Sequence, residues 1–154
     1  MRIPARVDYA IRAMAELAAA GGQQVKAEDL ALAQNMPEKF LRSIMTDLRR
    51  ARLVSSQRGP EGGFSLTRPA DEISLADIFR AIDGPLATVR DQSLSDMNYS
   101  GAAEQLPDVW MAVRTGLRRV LETVTIADLA AGALPESVAD LADEYRRAEA
   151  TRRH

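Results

Sequence analysis

The chain has no cysteine, and its one histidine is the last residue, His154. The first absence removes disulfides, thiol nucleophiles, thiol redox sensing and thiolate-ligated metal. The second leaves no histidine for a catalytic triad or a structural zinc site. Aromatic residues are only 5% of the 154. No run approaches the roughly 18 to 20 consecutive apolar residues that span a bilayer. The start, MRIPARVDYA, lacks the apolar stretch of a signal peptide. The expectation is a soluble, cytoplasmic protein with no membrane partner. Neither a phosphate-loop spacing nor a motif-placed pair of carboxylates is present, so an enzyme is not expected. Met14, Met36, Met45, Met97 and Met111 form no ligand-like group, and no metal site is expected.

Apolar residues make up 46%, a balance rich in Ala and Leu that suits helices packed on helices. The length allows one domain with a core, or a small domain with an appendage. The net charge of -2 hides an asymmetry. Residues 1–70 carry 11 Lys and Arg against 7 Asp and Glu, a net of +4, whereas residues 71–154 carry 9 against 15, a net of -6. Halves of opposite sign imply that the first meets a polyanion and the second does something else.

Apolar positions Val7, Ala10, Ile11, Met14, Leu17 and Ala18 recur at helical steps and predict a helix from Ala5 to the Gly21-Gly22 pair. A second, short helix is expected at about Ala27 to Gln34, with Leu30 and Ala33 inward and no capping side chain at Lys26. Pro37 opens a third helix, PEKFLRSIMTDLRRARL, with Leu41, Ile44, Met45 and Leu48 as its buried stripe. Its other face carries Glu38, Lys39, Arg42, Ser43, Thr46 and Arg49, the last followed by Arg50 and Arg52. Two helices joined by a short turn, the second basic on its exposed face, form a helix-turn-helix pattern.

The runs LVSSQ and GFSL flank a turn containing Gly59, Gly62 and Gly63, and predict a β-hairpin after the basic helix, which is a wing. The segment ISLADIFRAID predicts a helix with Ser74 as its N-cap and Ile73, Leu75, Ile78, Phe79 and Ile82 inward. No periodicity appears from Pro85 to about Gly101. A long amphipathic helix follows in LPDVWMAVRTGLRRVLETV, then the helix-compatible TIADLAAG. The charged tail predicts a frayed helix around Val138, Leu141 and Tyr145. The fold class is therefore mainly α with a small β-hairpin. Residues 1–84 are expected to form a winged helix-turn-helix, 85–104 an irregular loop, 105–134 the long helix with the following turn, and 135–154 the tail.

Taken in order, MRIPARVDYAIRAM, MPEKFLRSIMTDLRRARLV, RGPEGGFSLTRPADEISLADIFRAIDG and VWMAVRTGLRRVLETVTIADL resemble the Rrf-type family of bacterial winged-helix transcription regulators. The RGPxGGF wing and the helix after it are the most specific part. The resemblance implies a homodimer on a near-palindromic double-stranded DNA operator, expected to act as a repressor. It implies that Pro37, Lys39, Phe40, Arg42 and Ser43 face the major groove and that Arg58 enters the minor groove. It also implies that the helix from about Leu106 to Val124 crosses to the partner, with Val109, Trp110, Val113, Leu117, Val120, Leu121 and Val124 at the interface. Sensors in this family hold an iron-sulfur cluster through three cysteines in the loop after the IDG helix. Here that interval holds Asp91, Gln92, Asp96, Asn98 and Glu104, and oxygen ligands do not replace thiolates on such clusters. No cofactor is expected, and an iron-sulfur cluster is excluded.

Several residues keep two readings. Lys39, Arg42, Thr46 and Arg49 share a face that is either solvated surface or, beside a wing, a DNA surface. Gly59, Gly62 and Gly63 are turn residues that would also let the loop approach a sugar-phosphate wall closely. Arg2 and Arg6 are phosphate contacts or solvated charges. Trp110 is core or interface. The loop acids are solvated or hold a cation. The alternative to control by DNA occupancy alone is control by a protein effector or an unidentified small ligand.

Overall fold

The computed structural model describes residues 2–152, so His154 lies outside the described residues. Helix α1 (Ala5–Ala19) follows Pro4, whose fixed backbone suits the start of a helix. It buries Val7, Ala10, Ala13, Met14 and Leu17 and packs against the four helices α2 (Ala27–Ala33), α3 (Glu38–Arg50), α4 (Leu75–Asp83) and α6 (Ile126–Ala131). The stripe predicted for α3 is fully buried, with Leu41, Ile44, Met45 and Leu48 all at 0% exposure. Each such side chain contributes about 1.5 to 3 kcal/mol of transfer free energy, so this face fixes the rotation of α3. The opposite face must then be presented to solvent.

Two details of the short second helix differ. No side chain caps α2 at Lys26, as expected, but Ala33 is exposed and Ala31 is buried in its place. The helix is too short for a periodicity to select between neighbouring alanines. α3 also ends at Arg50, three residues before the predicted end, where Arg52 turns into the left-handed region at φ 60°.

Strands β1 (Val54–Gln57) and β2 (Gly63–Leu66) pair antiparallel, Val54 with Leu66 through Gln57 with Gly63. A third extended residue joins them: the Val25 N–H donates to the Phe64 carbonyl at 2.9 Å, and the Phe64 N–H donates to Val25 at 2.8 Å. The wing is thereby tied to the segment leading into α2.

Ser74 caps α4 in a full capping box, its hydroxyl accepting from the Asp77 N–H at 3.1 Å while Asp77 accepts from the Ser74 N–H at 3.0 Å. Thr125 and Asp128 repeat the arrangement at α6. The two caps lie side by side, since Leu75 N–H donates to the Val124 carbonyl and Ile126 N–H to that of Ile73. As a result the segment after the long helix α5 (Leu106–Thr123) returns to the winged half. Ile126 is buried in the same core as Met14 and Leu41. The turn assigned from sequence to the dimerisation segment is therefore part of the winged-helix core. The loop 85–104 is irregular apart from two single 3-10 turns, and it buries Leu86, Leu94 and Met97. The tail forms a regular helix, α7 (Glu136–Arg152), with no buried residue.

Candidate nucleic-acid interface

α3 is held in place by more than its apolar stripe. The Arg6 guanidinium donates to Asp47 at 2.6 Å and to the Ser43 hydroxyl at 3.3 Å, and lies over the Phe40 ring at 5.4 Å. Phe40 packs edge-on against Tyr9 at 5.4 Å. These contacts bear on two residues singled out from the sequence. Arg6 is a clamp between α1 and α3, so it reaches a phosphate only by giving up its ion pair with Asp47. Phe40 is partly buried, its ring packed against the core between the two helices. Ser43 has its hydroxyl on the exposed side but accepts from Arg6.

The exposed face of α3 carries Lys39, Arg42, Thr46 and Arg49, with Pro37 exposed just before it. Arg42 is shared between Glu38 at 2.6 Å and Glu28 of α2 at 3.2 Å. Arg49 donates to Ser56 of β1 at 3.2 Å, which links the helix to the wing. Thr46 donates its hydroxyl back to the Arg42 carbonyl. Lys39, Arg58 and Arg2 are exposed and make no hydrogen bond or ion pair among the described residues. The start of α2, the face of α3 and the wing enclose one solvent-open cleft of about 370 Å³, lined by Lys26, Arg42, Gln57 and Gly59 among others. Lys26, Ser56 and Gln57 on this cleft were not picked out from the sequence. Lys26 looked only like a missing helix cap, and the strand residues carried no charge to draw attention.

The wing glycines divide. A Cβ on Gly62 would lie 2.2 Å from the Gln57 carbonyl oxygen, and one on Gly63, at φ 150°, would lie 2.6 Å from that of Val25. Both are therefore demanded by the turn and by the Val25 bridge. Gly59 has open space around it and remains the glycine beside which a DNA wall could pass.

The model of the family described as Rrf2, iron-dependent transcriptional regulator, matches residues 3–132. The chain belongs to the Rrf2 family. A Mycobacterium tuberculosis protein named as an HTH-type transcriptional regulator is 58% identical over 99% of this chain and 95% of its own length. Among solved structures, CymR, the global cysteine regulator of B. subtilis, superposes with a TM-score of 0.71 at 30% identity, covering 86% of this chain and 98% of CymR. IscR of T. potens superposes at 0.64 and 30% identity, covering 84% and 85%. This Rrf2 protein is thus a DNA-binding transcriptional regulator with the winged helix-turn-helix fold, and not an enzyme. No helix among the described residues is long and apolar enough to cross a membrane.

The donor atoms present do not match the iron dependence for which the family is named. With no cysteine in the chain, and no group of three His, Cys, Asp or Glu among the described residues able to hold a metal, the residues do not fit an iron-sulfur cluster. Asp91, Asp96 and Glu104 are exposed loop residues that do not converge.

α5 has no fully buried residue, and Val109, Met111 and Val113 are 51%, 39% and 40% exposed. Trp110, Leu117, Val120 and Leu121 are half-buried. Val124 is the exception within the predicted interface set. It is 2% exposed and its carbonyl is bonded to Leu75, because it lies past the helix end on the way into the core. α5 is joined to α4 by Glu122, which accepts from Arg80 at 2.5 Å and Arg118 at 3.1 Å. Hydrogen bonds from Arg118 and then Arg80 hold its carboxyl below the ordinary value of 4.5.

Proposed function

We propose that this protein represses transcription as an iron-sulfur-independent homodimer on a near-palindromic operator. Each subunit lays the face of α3 in the major groove, with Lys39 on phosphate and Arg42 and Arg49 toward base edges. Arg58 enters the neighbouring minor groove, where a narrow A·T-rich stretch concentrates negative potential. The exposed apolar side of α5, around Val109 and Val113, provides the contact between subunits. The observation that carries this reading is the cleft between α3 and the wing, where Lys26 and Arg42 stand beside Glu28, together with the unpaired Arg58 on the wing. Arg42 reaches DNA by exchanging its two carboxylate partners for it. Glu28 and Glu38 then act as a selectivity filter, repelling phosphate wherever the exchange is not matched by a base contact.

Selection from a genomic fragment library, followed by anisotropy titration of the enriched sequence, tests the reading. The expected result is a sequence with two related half-sites, bound at least about a thousandfold more tightly than random DNA. Binding that ignores sequence, or a single unpaired half-site, overturns it.

A further inference from the structure

The wing that carries Arg58 is too small to hold its own angle. Its two strands have four residues each and pair only with one another and with Val25, and an isolated two-stranded hairpin is marginally stable in water. Its tilt is therefore fixed by supports from outside the ladder. Phe64 and Leu66 pack against the core, and Arg49 of α3 reaches Ser56 at 3.2 Å. Ser65, between Phe64 and Leu66, belongs to the other face of the strand, and a third support meets it there. The Gln24 amide nitrogen donates to the Ser65 hydroxyl at 3.1 Å, and Ser65 lies 3.1 Å from the hydroxyl of Ser55, its partner across the ladder. With the Val25 bridge beside it, Gln24 begins a polar rail that crosses both strands.

Stability gives no reason for an amide at this place. The Gln24 Oε1 is shut off from solvent and meets no donor among the described residues, and a buried polar atom left unmet is costly. An apolar side chain of the same length would avoid that cost. Neither Gln24 nor Ser65 borders the DNA-facing cleft. We propose that Gln24 is a positioning residue for DNA reading: through Ser65 and Ser55 it sets the tilt of the wing, and thereby the depth to which Arg58 enters the minor groove. Arg58 stands three residues beyond Ser55, about 10 Å along an extended strand. A tilt of about 10° then moves the arginine by about 2 Å, enough to lift a guanidinium off the floor of a narrow groove. The proposal rests on the minor-groove reading of Arg58 given above, and the experiment separates the two.

A double-mutant cycle of Gln24→Met and Arg58→Ala in the full chain, read by anisotropy on the selected operator, is the test. Gln24→Met should weaken operator binding about fivefold when Arg58 is present. In the Arg58→Ala background it should cost nothing further, because no arginine is left to misplace. The melting temperature of Gln24→Met should stay level or rise, as loss of an unmet buried atom requires. Ser65→Ala breaks the same link from its other end and should reproduce the loss, again only where Arg58 is present; it decides the matter if Gln24→Met does not fold. Undiminished affinity in both variants overturns the proposal. So does a loss of the same size with and without Arg58, since Gln24 would then act on DNA directly or on the fold at large. A loss that vanishes when the titration is cooled overturns it too, being the mark of partial unfolding. If Arg58→Ala alone leaves affinity unchanged, the minor-groove reading fails and takes this proposal with it. An effect of Arg58→Ala with none from Gln24→Met strikes out the positioning role only.

Discussion

At the scale of single residues, the arginines of the first half differ in what they are free to do. Arg58 sits at the wing tip with no partner, so its removal takes nothing from the fold. Arg58→Ala should weaken operator binding by about 1 to 3 kcal/mol, five- to 150-fold, with an unchanged melting temperature. Anisotropy titration checks this, and unaltered affinity would reject the minor-groove role. Arg6 should behave in the opposite way, since it joins Asp47 and covers Phe40. Arg6→Ala should cost about 1 to 2 kcal/mol of stability and lower the melting temperature by a few degrees. Its dependence of operator binding on salt should stay as it was, whereas loss of a true phosphate contact would reduce the slope by about one. This pair also marks what was hidden in the sequence. Arg6 and Asp47 lie 41 positions apart, and a paired arginine is spelled the same as a free one. The packing of Phe40 was hidden for the same reason: its neighbour Tyr9 is supplied by another helix.

At the scale of elements, legibility followed periodicity. The α3 stripe, the hairpin and the α4 cap were readable because each is encoded within about a dozen neighbouring residues. The Val25 bridge and the return of α6 to α1 were not, since a single paired residue makes no run and a long-range contact has no local pattern. Glu122 shows how α5 is tied to the rest. Its folded-state carboxyl is held below the ordinary value, so its contribution to stability is complete above that value and is lost as the pH falls through the lowered one. Melting curves of the unaltered chain and Glu122→Gln should therefore differ at pH 7 and converge only once the pH has fallen through the lowered carboxyl value. A gap that persists in acid would mean the ion pairs are not its source. On the outer side of the same helix, Val113 is 40% exposed and on the face proposed to meet the second subunit. Val113→Glu should convert dimer to monomer in sedimentation velocity, because two like charges would face one another across a twofold interface. A dimer of unchanged stability would place the interface elsewhere.

At the scale of the whole molecule, the charge asymmetry becomes an orientation. The half with a net of +4 carries α3 and the wing, while the half with a net of -6 carries α5 and α7. A dimer built on α5 would put the acidic halves at its centre and the two basic faces outward on one side. The recognition helices would then lie about 34 to 36 Å apart, or a multiple of it, matching successive major grooves. In that arrangement each subunit would neutralise its own set of phosphates, and log K falls with log salt in proportion to the number neutralised. The dimer on its full operator should thus show about twice the salt slope of the Val113→Glu monomer on a half-site. Titrations across a range of salt concentrations measure both slopes directly. Equal slopes would mean that one subunit makes nearly all the phosphate contacts, and the symmetric arrangement of two wings would have to be abandoned. A ratio near two, with hydroxyl-radical protection in two patches on one face of the duplex, would fix both the symmetry and the direction in which the acidic halves point.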